Sequence, residues 1–135
     1  MAKEKNPVNV KRGRSSKRKG AAGEREAAKE FQDKFPGLEA HRGRQYHGGP
    51  GTPDVMLSID NVHLEVKRTE TFNLYKALNQ AREDADGKVP VVLHRRSREK
   101  WVVCVELDRL PEFVRIMAPL TKEPELIQKL EDISK

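Results

Sequence analysis

The chain has 135 residues, a length typical of one compact domain. Apolar residues make up 36% of it and aromatic residues 5%, which predicts a modest core of mainly Val, Leu, Ile and Ala and favours oligomerisation. No stretch approaches the roughly 18 consecutive apolar residues that a membrane helix needs. The single cysteine excludes a disulfide framework or a thiolate cluster for zinc. We therefore expect a cytoplasmic protein with no membrane partner.

Positive charge is concentrated near the N-terminus. The net charge of the chain is +6, and residues 1–20 contribute +7, so the other 115 residues carry a net charge of −1. We predict a basic flexible arm over residues 1–19 that binds phosphates, because each neutralised phosphate releases a condensed counterion. A solubilising tail is the alternative, whereas a targeting peptide would continue into an apolar segment. The cations expected to contact phosphates are Lys11, Arg12, Arg14, Lys17, Arg18 and Lys19.

The first predicted element after the arm is a helix over residues 20–35. Ala28, Phe31 and Phe35 recur at spacings of three and four, and a Pro-Gly pair then stops the helix. Glu24 projects within about 20° of both phenylalanines, on the stripe expected to face the core. A carboxylate on a buried stripe needs a partner. The alternative is an acid placed near the helix N-terminus, where the helix dipole favours it.

The rest of the chain alternates between short apolar strands and polar helices. On its central helix we expect Tyr75, Leu78, Ala81 and Ala85 to share a face, and in its last strand we expect Cys104 to be a packed core residue rather than a nucleophile. An Asp-Asn pair between the first two strands suits a two-residue hairpin turn. The predicted elements are a glycine-rich loop at 41–53, strands at 55–59 and 62–66, a helix at 73–85, strands at 89–93 and 101–107, and helices at 112–117 and 124–133.

The most informative pattern lies on the predicted hairpin. Pro53-Asp54 is followed, eleven residues after the aspartate, by Glu65-Val66-Lys67. Side chains alternate along a strand, so Glu65 and Lys67 share one face. With a two-residue turn, Asp54 lies opposite Lys67 and diagonal to Glu65 on that face. Diagonal β-carbons are about 7 to 8 Å apart, which lets both carboxylates reach one divalent ion.

Two carboxylates and a lysine at one place predict a particular chemistry. Mg²⁺ would relieve the repulsion between the carboxylates and would activate a water molecule, while Lys67 orients that water or stabilises developing charge. Phosphodiester hydrolysis is the reaction that this set of groups supports. The alternative is that Glu65 and Lys67 form an ordinary solvent-facing pair on an amphipathic strand.

These motifs together resemble a known family. The segment KGAAGERE at 19–26, the Pro53-Asp54 pair and Glu65-Val66-Lys67 are similar to the PD-(D/E)XK nucleases, specifically to archaeal-type Holliday-junction resolvases and similar phage-encoded proteins. The resemblance covers residues 19–107. It implies a single α/β domain over residues 20–135, with a mixed β-sheet flanked by helices, and a site for Mg²⁺, with Mn²⁺ as a substitute. The implied metal ligands are Asp54, Glu65, Val66 and Glu24, and the implied catalytic residues are Glu24, Asp54, Glu65, Lys67, Gln80 and Thr52.

Some of these assignments have alternatives. Gln80 corresponds to a glutamine that often follows the lysine on the next helix in the superfamily, and its alternative is an exposed polar residue. Thr52 corresponds to a hydroxyl on a mobile loop, although this loop is richer in glycine than the family's. Arg42 and Arg44 are expected to join the arm in binding DNA. The four histidines show no metal-binding spacing, so His63 is interpreted as structural.

The resemblance also implies a function and an assembly. We expect a metal-dependent, structure-selective endonuclease that resolves four-way junctions in branched DNA as a homodimer, within the cytoplasm and with a phage-encoded origin in a bacterial host as one possibility. A less selective nuclease of repair or restriction, or a nucleic-acid-binding module without catalysis, is the alternative. Candidate dimer surfaces, which could instead complete the monomer core, are the stripe Leu126, Ile127, Leu130 and Ile133 and the run Leu110, Phe113 and Ile116.

Overall fold

The structure is a computed structural model that describes residues 7–43, 53–122 and 132–133. It contains one five-stranded mixed sheet with helices packed on it, which confirms the expected α/β class. Among the described residues, no helix combines the length and apolar character needed to cross a membrane. The elements are α1 (Pro7–Lys34), β1 (Ala40–Arg42), β2 (Val55–Leu57), β3 (Val62–Arg68), α2 (Leu74–Asp84), β4 (Val89–Arg95), β5 (Val102–Val105) and α3 (Leu110–Met117).

The strands lie side by side in chain order, from β1 to β5. All neighbours are antiparallel except β3 and β4, which are parallel. A parallel pair needs a crossover connection, and α2 provides it. Val91 and Leu93 of β4 pack in the cluster that contains α1 residues, whereas Val92 packs with α2. Since adjacent strand residues point to opposite faces, α1 and α2 cover opposite faces of the sheet.

The two central strands carry the core. β3 and β4 are buried over their first five residues, because helices cover both of their faces. The larger cluster lies between α1 and the sheet, and the smaller one joins α2 to Val92. Two polar side chains, His63 and Glu65, are buried in β3 among these apolar residues. The interior of the sheet therefore holds the first indication of a functional site.

The N-terminal part of the fold differs from the expectation in two ways. Helix α1 begins at Pro7 rather than at position 20, so the backbone of residues 7–19 is helical where we expected a flexible arm. Proline is well suited to the first turn of a helix, and the lysines and arginines that follow are good helix formers. Strand β1 lies at the start of the segment predicted as a loop, because a three-residue strand is too short to show an alternating pattern.

Helix α2 presents the predicted face except at Tyr75. Leu78, Ala81 and Ala85 are buried as predicted and Ala77 joins them, whereas Tyr75 is 77% exposed. At 100° per residue, Tyr75 lies about 100° from the middle of that face, which is too far for it to share the buried stripe. The start was predicted correctly: Asn73 caps the helix by accepting a hydrogen bond from the Lys76 N–H at 3.0 Å.

Some residues of the C-terminal region pack against the core, and others are exposed. Helix α3 starts at Leu110, two residues before the predicted helix, and follows a short 3-10 helix at Leu107–Arg109. Phe113 and Ile116 pack against the larger core cluster and so help to complete the monomer. Cys104 is partly buried against the α2 cluster, as a packing residue would be. The helix predicted at 124–133 lies outside the described residues except for positions 132 and 133, which are helical.

Candidate active site

Asp54 stands at the entrance to β2 and is fixed through both its backbone and its side chain. Its carbonyl oxygen accepts a hydrogen bond from the Gly43 N–H at 3.0 Å. Its carboxylate oxygen Oδ2 accepts one from the Val66 N–H at 2.9 Å. A carboxylate that uses a β3 amide in this way is locked against the middle of the neighbouring strand.

The strand register corrects the predicted position of Asp54. Val55 pairs with Leu64, which is a shift of two residues from the predicted pairing of 56 with 65. The connection between β2 and β3 spans residues 58–61 instead of two residues, and this wider turn causes the shift. Asp54 therefore lies beside Glu65 rather than opposite Lys67. Because the shift is an even number, the side chains keep the faces that alternation assigned to them.

Asp54 and Glu65 are close enough to share a proton. Burial, a hydrogen bond with Glu65 and the negative charge of Glu65 raise the pKa of Asp54 from 3.8 to about 7. Burial also raises the pKa of Glu65, but hydrogen bonds with His63 and Asp54 and the charges of His63 and Lys67 outweigh it and leave that pKa below its usual value. Because the two carboxylates interact, their titration belongs to the pair and not to either residue alone. A cation bound between them would favour their charged forms.

His63 is the immediate partner of Glu65. Its Nε2 lies 2.6 Å from Glu65 Oε1, and both side chains are buried. The two residues are two positions apart on β3, so their side chains leave the sheet on the same face. Asp84, the last residue of α2, brings a carboxylate oxygen to the same place: one ligand atom from each of the three side chains lies within 4.8 Å of the others.

Glu24 approaches from α1 and is buried, as its position on the apolar stripe led us to expect. Its Oε2 accepts a hydrogen bond from Arg42 Nε at 2.7 Å, which links α1 to β1. The negative charge of Glu24 also contributes to the raised pKa of Asp54. Gly23 allows this close approach, since a Cβ added there would lie 2.6 Å from Arg68 Cβ. Arg42 therefore holds an acid of the site, in addition to any contact with DNA.

Of the remaining predicted residues, the structure describes Lys67 and Gln80 but not Thr52 or Arg44. Lys67 is partly buried on β3, where its charge lowers the pKa of Glu65. Gln80 is exposed on α2, whereas Asp84 of the same helix brings a carboxylate oxygen within 4.8 Å of ligand atoms of His63 and Glu65. Thr52 and Arg44 lie outside the described residues, as do the side chains of the six predicted arm cations.

A basic loop lies at the end of the sheet where β3 and β4 finish, just beyond Lys67. The loop between β4 and β5, residues 96–100, carries Arg96, Arg98 and Lys100, all of them exposed. It is attached to the segment after β3 because Glu70 accepts hydrogen bonds from the Ser97 N–H and hydroxyl. Arg98 has a φ of 66°, a left-handed conformation that is uncommon for a residue with a side chain. The hydrogen bonds between Glu70 and Ser97 thus hold the loop that carries these exposed cations.

Two side chains near Glu65 were not predicted from the sequence to belong to the site. His63 was interpreted as structural, and Asp84 was not considered. The alternation of His63 with Glu65 placed both on one face, and the helical spacing of Asp84 from Leu78 and Ala81 placed it beside the buried stripe of α2. The crossover from β3 to β4 brings that stripe over His63 and Glu65, so the contact depends on how α2 lies on the sheet.

The donor set fits a hard divalent cation. Asp54 and Glu65 offer carboxylate oxygens, which are the ligands that Mg²⁺ prefers. The negative charge of Glu65 contributes to the raised pKa of Asp54, and a cation would relieve this repulsion between the two carboxylates. Glu24 adds a third carboxylate nearby. The arrangement can therefore bind a divalent metal ion next to Lys67.

Comparison with known proteins gives one similar fold. No family model matches the chain, and no curated protein matches it. A solved structure of Hjc from Archaeoglobus fulgidus, a Holliday junction resolvase from an archaeal hyperthermophile, is similar over 59% of this chain and 73% of that chain. The identity is 18% and the TM-score is 0.43.

Proposed function

We propose that this protein is a metal-dependent endonuclease that resolves four-way DNA junctions by paired phosphodiester hydrolysis. The observation that carries the proposal is the placement of partly buried Asp54 against buried Glu65 on the neighbouring strand, beside Lys67, where burial and Glu65 raise the pKa of Asp54. An acidic pair with a strongly shifted pKa is a frequent feature of active sites. The choice of branched DNA rests on the resemblance of the sequence motifs to archaeal-type resolvases.

The proposed mechanism assigns a role to each side chain. Asp54 and Glu65 would hold Mg²⁺, which would supply polarisation of the phosphoryl oxygen and a water molecule of lowered pKa. Lys67 orients the attacking water and stabilises negative charge that develops on the phosphate. Glu24 increases the negative potential at the site and is kept in place by Arg42. Gln80, Thr52 and Val66 complete the proposed site on the family resemblance.

DNA binding is assigned to cations around the active site. The basic N-terminal segment supplies Lys11, Arg12, Arg14, Lys17, Arg18 and Lys19, and Arg42 and Arg44 add to it. The loop at 96–100 supplies a second group of exposed cations at the end of the sheet that follows Lys67. Deletion of residues 1–18 should weaken DNA binding and flatten its salt dependence by about 0.9 in the log-log slope for each phosphate that the protein no longer neutralises. An unchanged slope would show that the segment is a passive tail.

A homodimer would match the near two-fold symmetry of a four-way junction, since two opposed strands must be cut. The described surface offers apolar residues for such an interface along β5 and the chain that follows it. Light scattering at the working concentration should give the mass of a dimer, and a monomeric mass with full junction cleavage would exclude this assembly. The exposed residues concerned are Val102, Val103, Leu107, Leu110 and Val114.

The decisive experiment is a cleavage assay with Mg²⁺ on a four-way junction beside duplex, flap and single-stranded DNA. We expect preferential cutting of the junction. Asp54→Asn and Glu65→Gln should each abolish cleavage while junction binding, measured by fluorescence anisotropy, remains. Asp60→Asn is the matched control, because Asp60 is an exposed acid in the turn between the same two strands.

Each other outcome has a definite meaning. Equal cutting of every substrate would indicate a less selective nuclease, and binding without cutting by the unmodified protein would indicate a nucleic-acid-binding module. Wild-type cleavage rates in Asp54→Asn or Glu65→Gln would show that the site is assigned to the wrong residues.

A further inference from the structure

His63 is the most deeply buried polar side chain of the site. It is 2% exposed and is among the largest side chains that are fully enclosed. A valine or leucine would suit a position that points toward the apolar face of α2, and it would avoid the desolvation of an imidazole. A buried polar group is tolerated when its hydrogen bonds are made, and His63 makes one to Glu65. Its position indicates a role in holding that carboxylate.

Asp84 adds a second carboxylate near the contact between His63 and Glu65. It ends α2, where the helix dipole disfavours a negative charge, and it is partly buried. Its carboxylate nevertheless approaches both His63 and Glu65 within 4.8 Å. The His63 imidazole lies beside both carboxylates, and each of its ring nitrogens can carry a proton and donate a hydrogen bond.

We propose that His63 is a positioning residue that orients Glu65 for metal binding and that Asp84 orients the His63 imidazole in turn. This proposal rests on the proposed function, in which Glu65 is a metal ligand. With Oε1 held by Nε2 at 2.6 Å, rotation of the Glu65 carboxylate about its last bond is restricted. A ligand that is already oriented loses less freedom when the cation binds. Partners that orient metal ligands in this way typically affect metal affinity or activity by about 10- to 100-fold.

The test compares metal binding in the unmodified protein and in His63→Leu, which keeps the volume of the side chain and removes its donor. Mn²⁺ binding, followed by isothermal titration calorimetry, should weaken about 10- to 100-fold. The Mg²⁺ concentration that half-activates cleavage should rise by a similar factor, while the rate at saturating Mg²⁺ and the KM for junction DNA change little. His63→Gln, which restores an N–H donor, should recover part of the metal affinity.

A matched control separates positioning from folding. Val92 lies beside Glu65 on β4 and is buried on the same face of the sheet. Val92→Ala should lower the stability of the fold through a cavity and leave the Mn²⁺ affinity within about twofold of the unmodified value. A His63→Leu variant that loses stability like Val92→Ala but keeps its Mn²⁺ affinity would overturn the proposal.

A double-mutant cycle tests the part assigned to Asp84. Asp84→Asn alone should weaken Mn²⁺ binding by about two- to fivefold, less than the roughly 10- to 100-fold effect of a direct partner of a metal ligand, because Asp84 is one contact further from the cation. In the His63→Leu background it should have no further effect, because Asp84 acts through the imidazole. Full additivity would show that Asp84 acts on the cation directly and would overturn its positioning role.

The two proposals fail in different ways. If the unmodified protein binds Mn²⁺ but cleaves no DNA, the proposed function is wrong while a weaker affinity in His63→Leu still supports the positioning of Glu65. If the unmodified protein cleaves DNA and His63→Leu keeps its half-activating Mg²⁺ concentration, only the positioning role is wrong. If Mn²⁺ does not bind to the unmodified protein at all, both proposals are overturned.

Discussion

Replacement of Gly23 by alanine tests whether α1 must touch β3 for the site to form. Gly23 is buried within α1 and precedes Glu24. A Cβ added there would lie 2.6 Å from Arg68 Cβ and 3.0 Å from its Cγ, whereas unbonded carbons rest about 3.5 to 4.0 Å apart. Arg68 Cβ is attached to the backbone of a central strand and cannot turn away. The helix must therefore move from the sheet by roughly 1 Å and carry Glu24 with it.

Two opposing effects set the size of the change. Alanine is favoured over glycine in a helix interior by about 0.8 to 1.0 kcal/mol. Overpacking a well-filled contact costs about 1 to 3 kcal/mol. The net effect of Gly23→Ala should be a loss of up to about 2 kcal/mol in the free energy of unfolding, and cleavage should fall as well because Glu24 and Arg42 are displaced together.

Gly20→Ala is the matched control, since it makes the same substitution one helical turn earlier. A Cβ at Gly20 has nothing within 4 Å, so only the helix preference acts and stability should rise by up to about 1 kcal/mol. Urea denaturation followed by circular dichroism measures both values, provided that the m-value is unchanged. If Gly23→Ala stabilises the protein as much as Gly20→Ala does, α1 is not held against β3 at this point and the reasoning fails.

Three other perturbations follow from the site. Because the pKa of Asp54 is raised from 3.8 to about 7, ionised Asp54 destabilises the metal-free fold increasingly as the pH rises through this range. Asp54→Asn should therefore stabilise it at pH 8 by up to about 4 kcal/mol, less at pH 5 and not at pH 3, as thermal unfolding would show. Gly43→Ala should reduce both stability and cleavage, because its Cβ would lie 2.6 Å from the Pro53 carbonyl oxygen that precedes Asp54. Arg98→Asn with Lys100→Gln should reduce the salt slope of junction binding by about 0.9 for each phosphate that is no longer neutralised, and an unchanged slope would remove the basic loop from the DNA surface.

The face on which each site residue lies could be predicted from the sequence, but the contacts between these residues could not. Alternation along β3 correctly placed Glu65 on the face opposite to Leu64, and helical periodicity correctly placed Glu24 on the buried stripe of α1. Both predictions depend only on the local geometry of one element. Periodicity is fixed by the backbone, so it is reliable wherever the element is assigned correctly.

The contacts between elements could not be predicted in the same way. The pairing of Val55 with Leu64 depends on the length of the turn at 58–61, and the Asp-Asn pair within that segment suited a shorter one. The approach of Asp84 to His63 depends on how α2 packs across the sheet. Neither quantity is a property of a single element. Asp54 was therefore predicted to lie opposite Lys67 and diagonal to Glu65, whereas it lies opposite Glu65.

Three acids of the site are each held by a hydrogen-bond partner, two of them across elements and one within a strand. Arg42 of β1 holds Glu24 of α1, the amide of Val66 in β3 holds Asp54 ahead of β2, and His63 holds Glu65 within β3. The positions of the three carboxylates therefore depend on the packing of α1 and the pairing of β1, β2 and β3 at the same time. A small displacement of any one element changes the distances between negative charges that repel one another in a buried place. For this reason substitutions that loosen the packing of these elements should reduce metal binding before they unfold the protein, which makes metal affinity a more sensitive measure of the fold than its melting temperature.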